Sequence, residues 1–167
     1  MGQKEPNVFP IIGAVNGVPS KIFNPHIFNK PAYKNNFEFI TTKGLYEYYH
    51  YGDQNFTDNG WGCAYRALQT LLSWLHMQGH LEPLNEGMIS IREIQNRLDM
   101  IDRSRKLKGS SEWIGATEIS WLVPKMTKKS FNCKILHVSD GKKILEKCEE
   151  LKQHFLTSGC PIMYGGG

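Results

Sequence analysis

Hydrophobic and polar positions alternate most regularly in the middle of the chain. Ala64, Ala67, Leu68, Leu71, Leu72 and Leu75 recur at helical spacing, with Arg66, Gln69, Thr70 and Ser73 on the remaining face. That pattern predicts an amphipathic helix starting near Cys63 and stopping at Gly79. A second helix is predicted from Ser90, which has Glu93 three residues on in the order of a capping box, with Ile91, Ile94, Leu98 and Ile101 along one stripe. Both helices are expected to bury their apolar faces.

Outside this region the pattern is weaker. Residues 45–51 are dense in aromatics and predict a short strand or extended segment, followed by a polar turn over 52–60. Residues 103–109 form a basic, glycine-terminated stretch expected to be a solvated loop, and 117–126 predicts a shorter helix that Pro124 kinks or ends. Further on, 132–138 and 160–164 are expected to be strands flanking a helix over 142–155. From Met1 to about Phe39, Pro6, Pro10, Pro19, Pro25 and Pro31 leave no helical periodicity. The expected organisation is an irregular Pro-rich arm over 1–40 and an α+β domain over 41–167, helices first and strands after. So few strands make a thin sheet, and the expectation is a domain lacking its last layer.

Composition narrows the classes of function. The 167 residues are 40% hydrophobic and 22% charged, as in a packed domain rather than a disordered chain. Lys and Arg total 20 against 16 Asp and Glu, and a net charge of +4 falls short of the basic stripe a duplex-binding surface needs. No nucleic-acid partner is expected. The four cysteines form no Cys-x-x-Cys pair and no secretory signal is visible, so free thiols in a reducing, intracellular compartment are expected. The opening Met1-Gly2 is followed by Pro6 where a myristoylation site wants Ser or Thr, and no apolar run is long enough to span a bilayer. A soluble protein without direct membrane insertion follows.

The sharpest candidate for chemistry is Asn59-Gly60-Trp61-Gly62-Cys63-Ala64-Tyr65-Arg66. Two glycines bracket a Trp and deliver a thiol to the first turn of the strongest helix, where free backbone N–H groups and the helix dipole favour the nucleophilic thiolate. A small buried residue at a helix start would show the same spacing.

Tyr49-His50-Tyr51, Asp58 through Thr70, Ser111-Glu112-Trp113-Ile114-Gly115 and Pro161-Ile162-Met163-Tyr164-Gly165-Gly166-Gly167, taken together and in order, resemble the ubiquitin-fold-modifier-specific cysteine proteases. The proteases of the autophagy modifier share Gly-Trp-Gly-Cys, but the Ala-Tyr-Arg-x-Leu-Gln continuation and the Trp-Ile-Gly segment are closer to the first family. The resemblance implies a papain-like fold, with its helical part and first strands present here and the C-terminal portion of the sheet missing. It implies Cys63 as nucleophile and Tyr51, twelve positions earlier, as oxyanion-hole donor. The family's base His and orienting Asp belong to an Asp-Pro-His downstream of the glycines and are not present in this chain. Asn24-Pro25-His26 is not expected to replace them, because an Asn lacks the carboxylate's charge and a Pro-rich arm is a poor platform. His50 adjoins Tyr51, and the other histidines are expected at the surface or in packing.

The function implied is a thiol isopeptidase that matures the modifier and releases it from conjugates, with the modifier's C-terminal Gly tail as partner. Two alternatives are a modifier-binding pseudo-enzyme lacking the Asp/His pair, and a protease of the autophagy modifier. The same resemblance implies a cytoplasmic protein, brought to the endoplasmic reticulum by an adaptor. No cofactor is expected, and no metal, since Cys133 and His137 are one pair where a structural zinc needs more ligands.

Overall fold

A computed structural model describes residues 14–15, 18–19, 22–27, 39–84, 88–128 and 131–165. Four two-residue strands, β1 (Ala14–Val15), β2 (Val18–Pro19), β3 (Ile22–Phe23) and β4 (Glu47–Tyr48), precede four helices. The helices are α1 (Cys63–Met77), α2 (Ile91–Ile101), α3 (Ala116–Met126) and α4 (Cys148–Thr157). β1 pairs with β2, and β3 pairs with β4 antiparallel, Ile22 opposite Tyr48 and Phe23 opposite Glu47.

Helix α1 is the centre of the fold and ends as its sequence predicts. Gly79 adopts φ 74°, a left-handed turn that glycine enters without strain, so the His80 N–H donates to the Leu75 carbonyl and the Gly79 N–H to that of His76. Its apolar stripe, with Leu68, Leu72 and Leu75 fully buried, packs against α2 through Ile91, Ile94 and Leu98. Ser90 caps α2 by accepting the Glu93 N–H at 3.2 Å, while the Glu93 carboxylate turns away to Arg97. Helix α3 closes the other side of α2 with Ile119, Leu122 and Val123, and each buried aliphatic side chain contributes ~1.5–3 kcal/mol. Pro124 does not end α3, which runs two residues further, and Thr127 then bridges to Leu81.

The polar face of α1 was expected to stay in the remaining, non-core direction. Arg66, Gln69 and Ser73 are buried there too, so α1 is enclosed on nearly every side. Burial of such groups is tolerated only when their hydrogen bonds are met, and these are.

The C-terminal part departs from expectation. Residues 132–138 and 160–164 carry no strand, and the helix expected over 142–155 is a 3-10 segment, Gly141–Lys147, running into α4. Alternation favours an extended backbone, but a strand exists only where a second backbone takes its N–H and C=O groups. None does among the described residues. The order of helices first and strands after is thereby reversed: the paired strands all precede α1.

Within the stretch expected to be irregular, β3 docks on β4. Asn24, buried at φ 47°, accepts the Tyr46 N–H on Oδ1 at 2.8 Å and donates its own N–H to the Tyr46 carbonyl. The expected arm residues 1–13, 16–17, 20–21 and 28–38 lie outside the described residues. The 103–109 loop is pinned rather than merely solvated: the Asp99 carboxylate accepts the Leu107 and Lys108 N–H groups, and the Leu107 side chain enters the core.

Candidate active site

Cys63 opens α1 and Tyr51 begins the loop that leads to it, so their meeting depends on how residues 52–62 are folded. That loop is built around one carboxylate. Asp58, 0% exposed, forms a two-pronged pair with Arg66, 3% exposed, with Nε to Oδ2 and Nη2 to Oδ1 both at 2.9 Å. Oδ1 also accepts the Gly52 N–H at 2.9 Å, and the Asp58 carbonyl accepts those of Gly62 at 2.8 Å and Trp61 at 3.2 Å. One residue thus ties the position after Tyr51 to the residue before Cys63 and to the first turn of α1.

Gly62 is required by this packing. Its φ of −79° is open to any residue, but a Cβ there would fall 2.0 Å from Asp58 Oδ2. Gly60, at φ 84°, supplies the left-handed turn just before it. Arg66 spends its remaining donors on the Gln69 side-chain carbonyl at 3.0 Å and the Asp53 carbonyl at 2.9 Å. Gln69 in turn donates to Gln54 and to the Ile89 carbonyl, which carries the network to the start of α2. Burial alone pushes the Asp58 carboxyl up. The Arg66 hydrogen bonds, the Gly52 N–H and the Arg66 charge outweigh it and hold the carboxyl below its ordinary range.

The same face of α1 holds the strand before Tyr51. The Ser73 hydroxyl accepts the Glu47 N–H at 2.9 Å, and the Thr70 hydroxyl accepts that of Tyr49 at 3.1 Å, taking the place of a neighbouring strand. Tyr49 is buried and donates its phenol to Glu47 at 2.8 Å. With β3 on its other edge, the chain from Tyr46 to Tyr49 is fixed from both sides, two residues short of Tyr51.

These supports place the Tyr51 phenol beside Cys63, close enough for the thiol to perturb its ionisation, and both side chains reach solvent. Partial desolvation, then the neighbouring Cys63 side chain and its charge, then the Asp58 charge raise the phenol above its ordinary value of 10.0. It therefore remains a protonated donor at neutral pH. Trp61 stands edge-on to Phe56 and Tyr65, and the Tyr65 phenol donates to the Glu112 carbonyl at 2.9 Å, anchoring the segment that carries exposed Trp113.

No histidine hydrogen-bonds to Cys63 among the described residues. The His50 ring lies edge-on to Tyr51 at 5.5 Å. His26 stacks on Tyr46, with Nδ1 2.9 Å from its hydroxyl, His80 lies between Trp74 and Phe131, and His154 Nε2 meets the Cys160 carbonyl. His76 and His137 are exposed. Among the described residues no three His, Cys, Asp or Glu side chains gather as a metal site requires. Asp58, Arg66 and Gln69 were missed as parts of the site. The available signal was a charged pair bracketing Cys63, with Gln69 one helical turn beyond Arg66.

Residues 38–167 match the sequence profile of peptidase family C78. A probable Ufm1-specific protease of Oryza sativa subsp. japonica is 48% identical over 125 residues, 74% of this chain and 19% of that protein. Ufm1-specific protease 2 of Homo sapiens is 39% identical over 147 residues, 87% of this chain and 30% of that protein. The crystal structure of UfSP from C. elegans superposes with a TM-score of 0.67 at 35% identity, covering 84% of this chain and 24% of that one. The chain spans less than a third of the length of each of these proteins. The likeness to UfSP carries the expected papain-like α+β fold, of which the helical part is described here.

Proposed function

The chain belongs to peptidase family C78, and from that premise we propose that it acts as a thiol isopeptidase on the ubiquitin-fold modifier Ufm1, with Cys63 as nucleophile and Tyr51 as oxyanion donor. The observation that carries this assignment is the Tyr51 phenol lying beside Cys63, the two at the ends of a loop that the Asp58–Arg66 pair ties together. The relatives named for Ufm1 favour this modifier over that of autophagy.

The sulfur attacks the carbonyl of the modifier's terminal Gly, giving a tetrahedral oxyanion that the Tyr51 phenol stabilises by donating its proton in a hydrogen bond. The amine of the target lysine, or of the precursor's next residue, leaves with a proton, and water then hydrolyses the thioester. The family resemblance assigns the proton carrier to the His of an Asp-Pro-His that follows the glycines. Action in the cytoplasm, with an adaptor at the endoplasmic reticulum, accompanies this function. No helix among the described residues is long and apolar enough to cross a membrane.

Ufm1 bearing a C-terminal electrophile tests the assignment. A thioether adduct on Cys63, lost in Cys63→Ala and outcompeted by unmodified Ufm1 but not by the autophagy modifier, is the expected result. Binding of Ufm1 without any adduct on Cys63 would contradict it.

A further inference from the structure

A concavity opens beside Trp61, on the loop that leads into α1. It encloses about 360 Å³ between the nucleophile loop, the first turn of α2 and the loop after Gly109, a size within the range of small-ligand sites. Phe56 and Trp61 form its apolar wall, and Asn55, Thr57, Arg92 and Ser111 bring polar side chains to it. The Arg92 guanidinium lies over the Phe56 ring, 5.2 Å from its centroid, on a side chain that is otherwise exposed to solvent.

Its charge is one-sided. No carboxylate lines the cleft, and Arg92 forms no ion pair among the described residues, whereas Arg66, Arg97 and Arg105 each have an acidic partner. The Asn55 side-chain amide and the Thr57 and Ser111 hydroxyls likewise have no partner among the described residues. The Ser110 hydroxyl, also at the cleft, is already committed to the Leu107 carbonyl and the Glu112 N–H. Asn55, Thr57, Arg92 and Ser111 are exposed to solvent, and around one concavity they present donors, one of them a guanidinium whose fork matches a carboxylate, with no protein acceptor competing for them among the described residues.

We propose that this cleft is a subsite for an acidic side chain of the protein brought to Cys63, Arg92 pairing with the carboxylate and Thr57 and Ser111 donating to it. The source of the carboxylate rests on the assignment of Cys63 as a nucleophile acting on a protein. The cleft wall belongs to the loop that ends at that nucleophile, with Trp61 two residues before Cys63. An acidic side chain there improves docking and sets register without touching the reacting atoms.

Two measurements on the 167-residue chain test it. In ¹⁵N-resolved NMR titrations, blocked Gly-Glu-Gly is expected to shift the Arg92 Nε–H and the Thr57 and Ser111 amides. Blocked Gly-Gln-Gly should leave them in place. Arg92→Ala should abolish the Glu response and Arg92→Lys retain part of it. Equal responses to Glu and Gln peptides, or a response to inorganic phosphate with none to the Glu peptide, would overturn the proposal. Second, Arg92→Ala should slow Cys63 labelling by electrophilic Ufm1 roughly three- to tenfold at low salt, the loss of one partly exposed charge-assisted bond. Its labelling by iodoacetamide should not change. Labelling of the variant by Ufm1 at the wild-type rate overturns the subsite. Failure of the wild-type chain to be labelled at all overturns the assignment of Cys63 instead, and the peptide titration still decides the cleft.

Discussion

Helix α1 buries eight of its fifteen residues, three of them polar, while α4 buries none of its ten. Both helices were predicted from similar stripes of apolar residues. In α1 the stripe faces α2, and the opposite side is filled by Arg66, Gln69 and Ser73 bonded to loop and strand backbone. Around α4 the described chain offers little cover: Leu145 and Leu156 are largely exposed, as are Ile135, Ile162 and Tyr164 nearby in sequence. The difference teaches that rigidity in this molecule comes from polar groups satisfied inside the fold, more than from the strength of the helical pattern. It also places those satisfied polar groups in the loop and helix turn that carry Cys63, as the nucleophilic role proposed for that thiol requires.

The contrast can be broken most severely at the Asp58–Arg66 pair. Asp58→Ala or Arg66→Ala leaves one buried charge uncompensated and should cost about 3–5 kcal/mol, read from urea unfolding, whereas Leu145→Ser should stay within ~0.5 kcal/mol. Equal effects would remove the distinction between the regions. Next in size, Tyr51→Phe should slow acylation of Cys63 by an activated Ufm1 ester about 10²- to 10³-fold, the usual cost of one oxyanion donor, while leaving the urea midpoint unchanged because the phenol is partly exposed. An unaltered rate would dismiss the Tyr51 assignment. Gly62→Ala should cost about 1–3 kcal/mol by pressing a methyl into Asp58, although alanine suits the backbone angle there.

Acid should act more gently and in one region. The Asp58 carboxyl is held below its ordinary value of 3.8, so the stability it confers is fully present above that pH and is lost as the pH falls below it towards the lowered folded value. Unfolding measured down this range should show a loss that Asp58→Asn no longer displays.

Much of this was visible in the residues themselves. Periodicity located α1 and α2, and Ser90 and Gly79 marked ends that the structure keeps. Periodicity could not show that the polar side of α1 is interior, because Arg66 on a helix reads the same whether it meets water or Asp58. Nor could alternation over 132–138 and 160–164 show whether a second backbone lies alongside. At the site, Cys63 and Tyr51 were identified by resemblance, and the Asp58–Arg66 clamp stood within the same motif unnoticed, since its role depends on a turn that only the folded loop reveals.

Residue-resolved amide hydrogen exchange tests the clamp most directly. The Gly52 and Gly62 amides donate to Asp58 and that of Tyr49 to Thr70, while no amide of 132–138 donates to an acceptor among the described residues. Exchange at Gly52, Gly62 and Tyr49 should approach the rate set by global unfolding, with 132–138 exchanging orders of magnitude faster, and Asp58→Ala, which removes the acceptor, should erase the protection at Gly52. Gly52 exchanging as fast as 132–138 in the wild-type chain would contradict the claim that this clamp holds Tyr51 against Cys63.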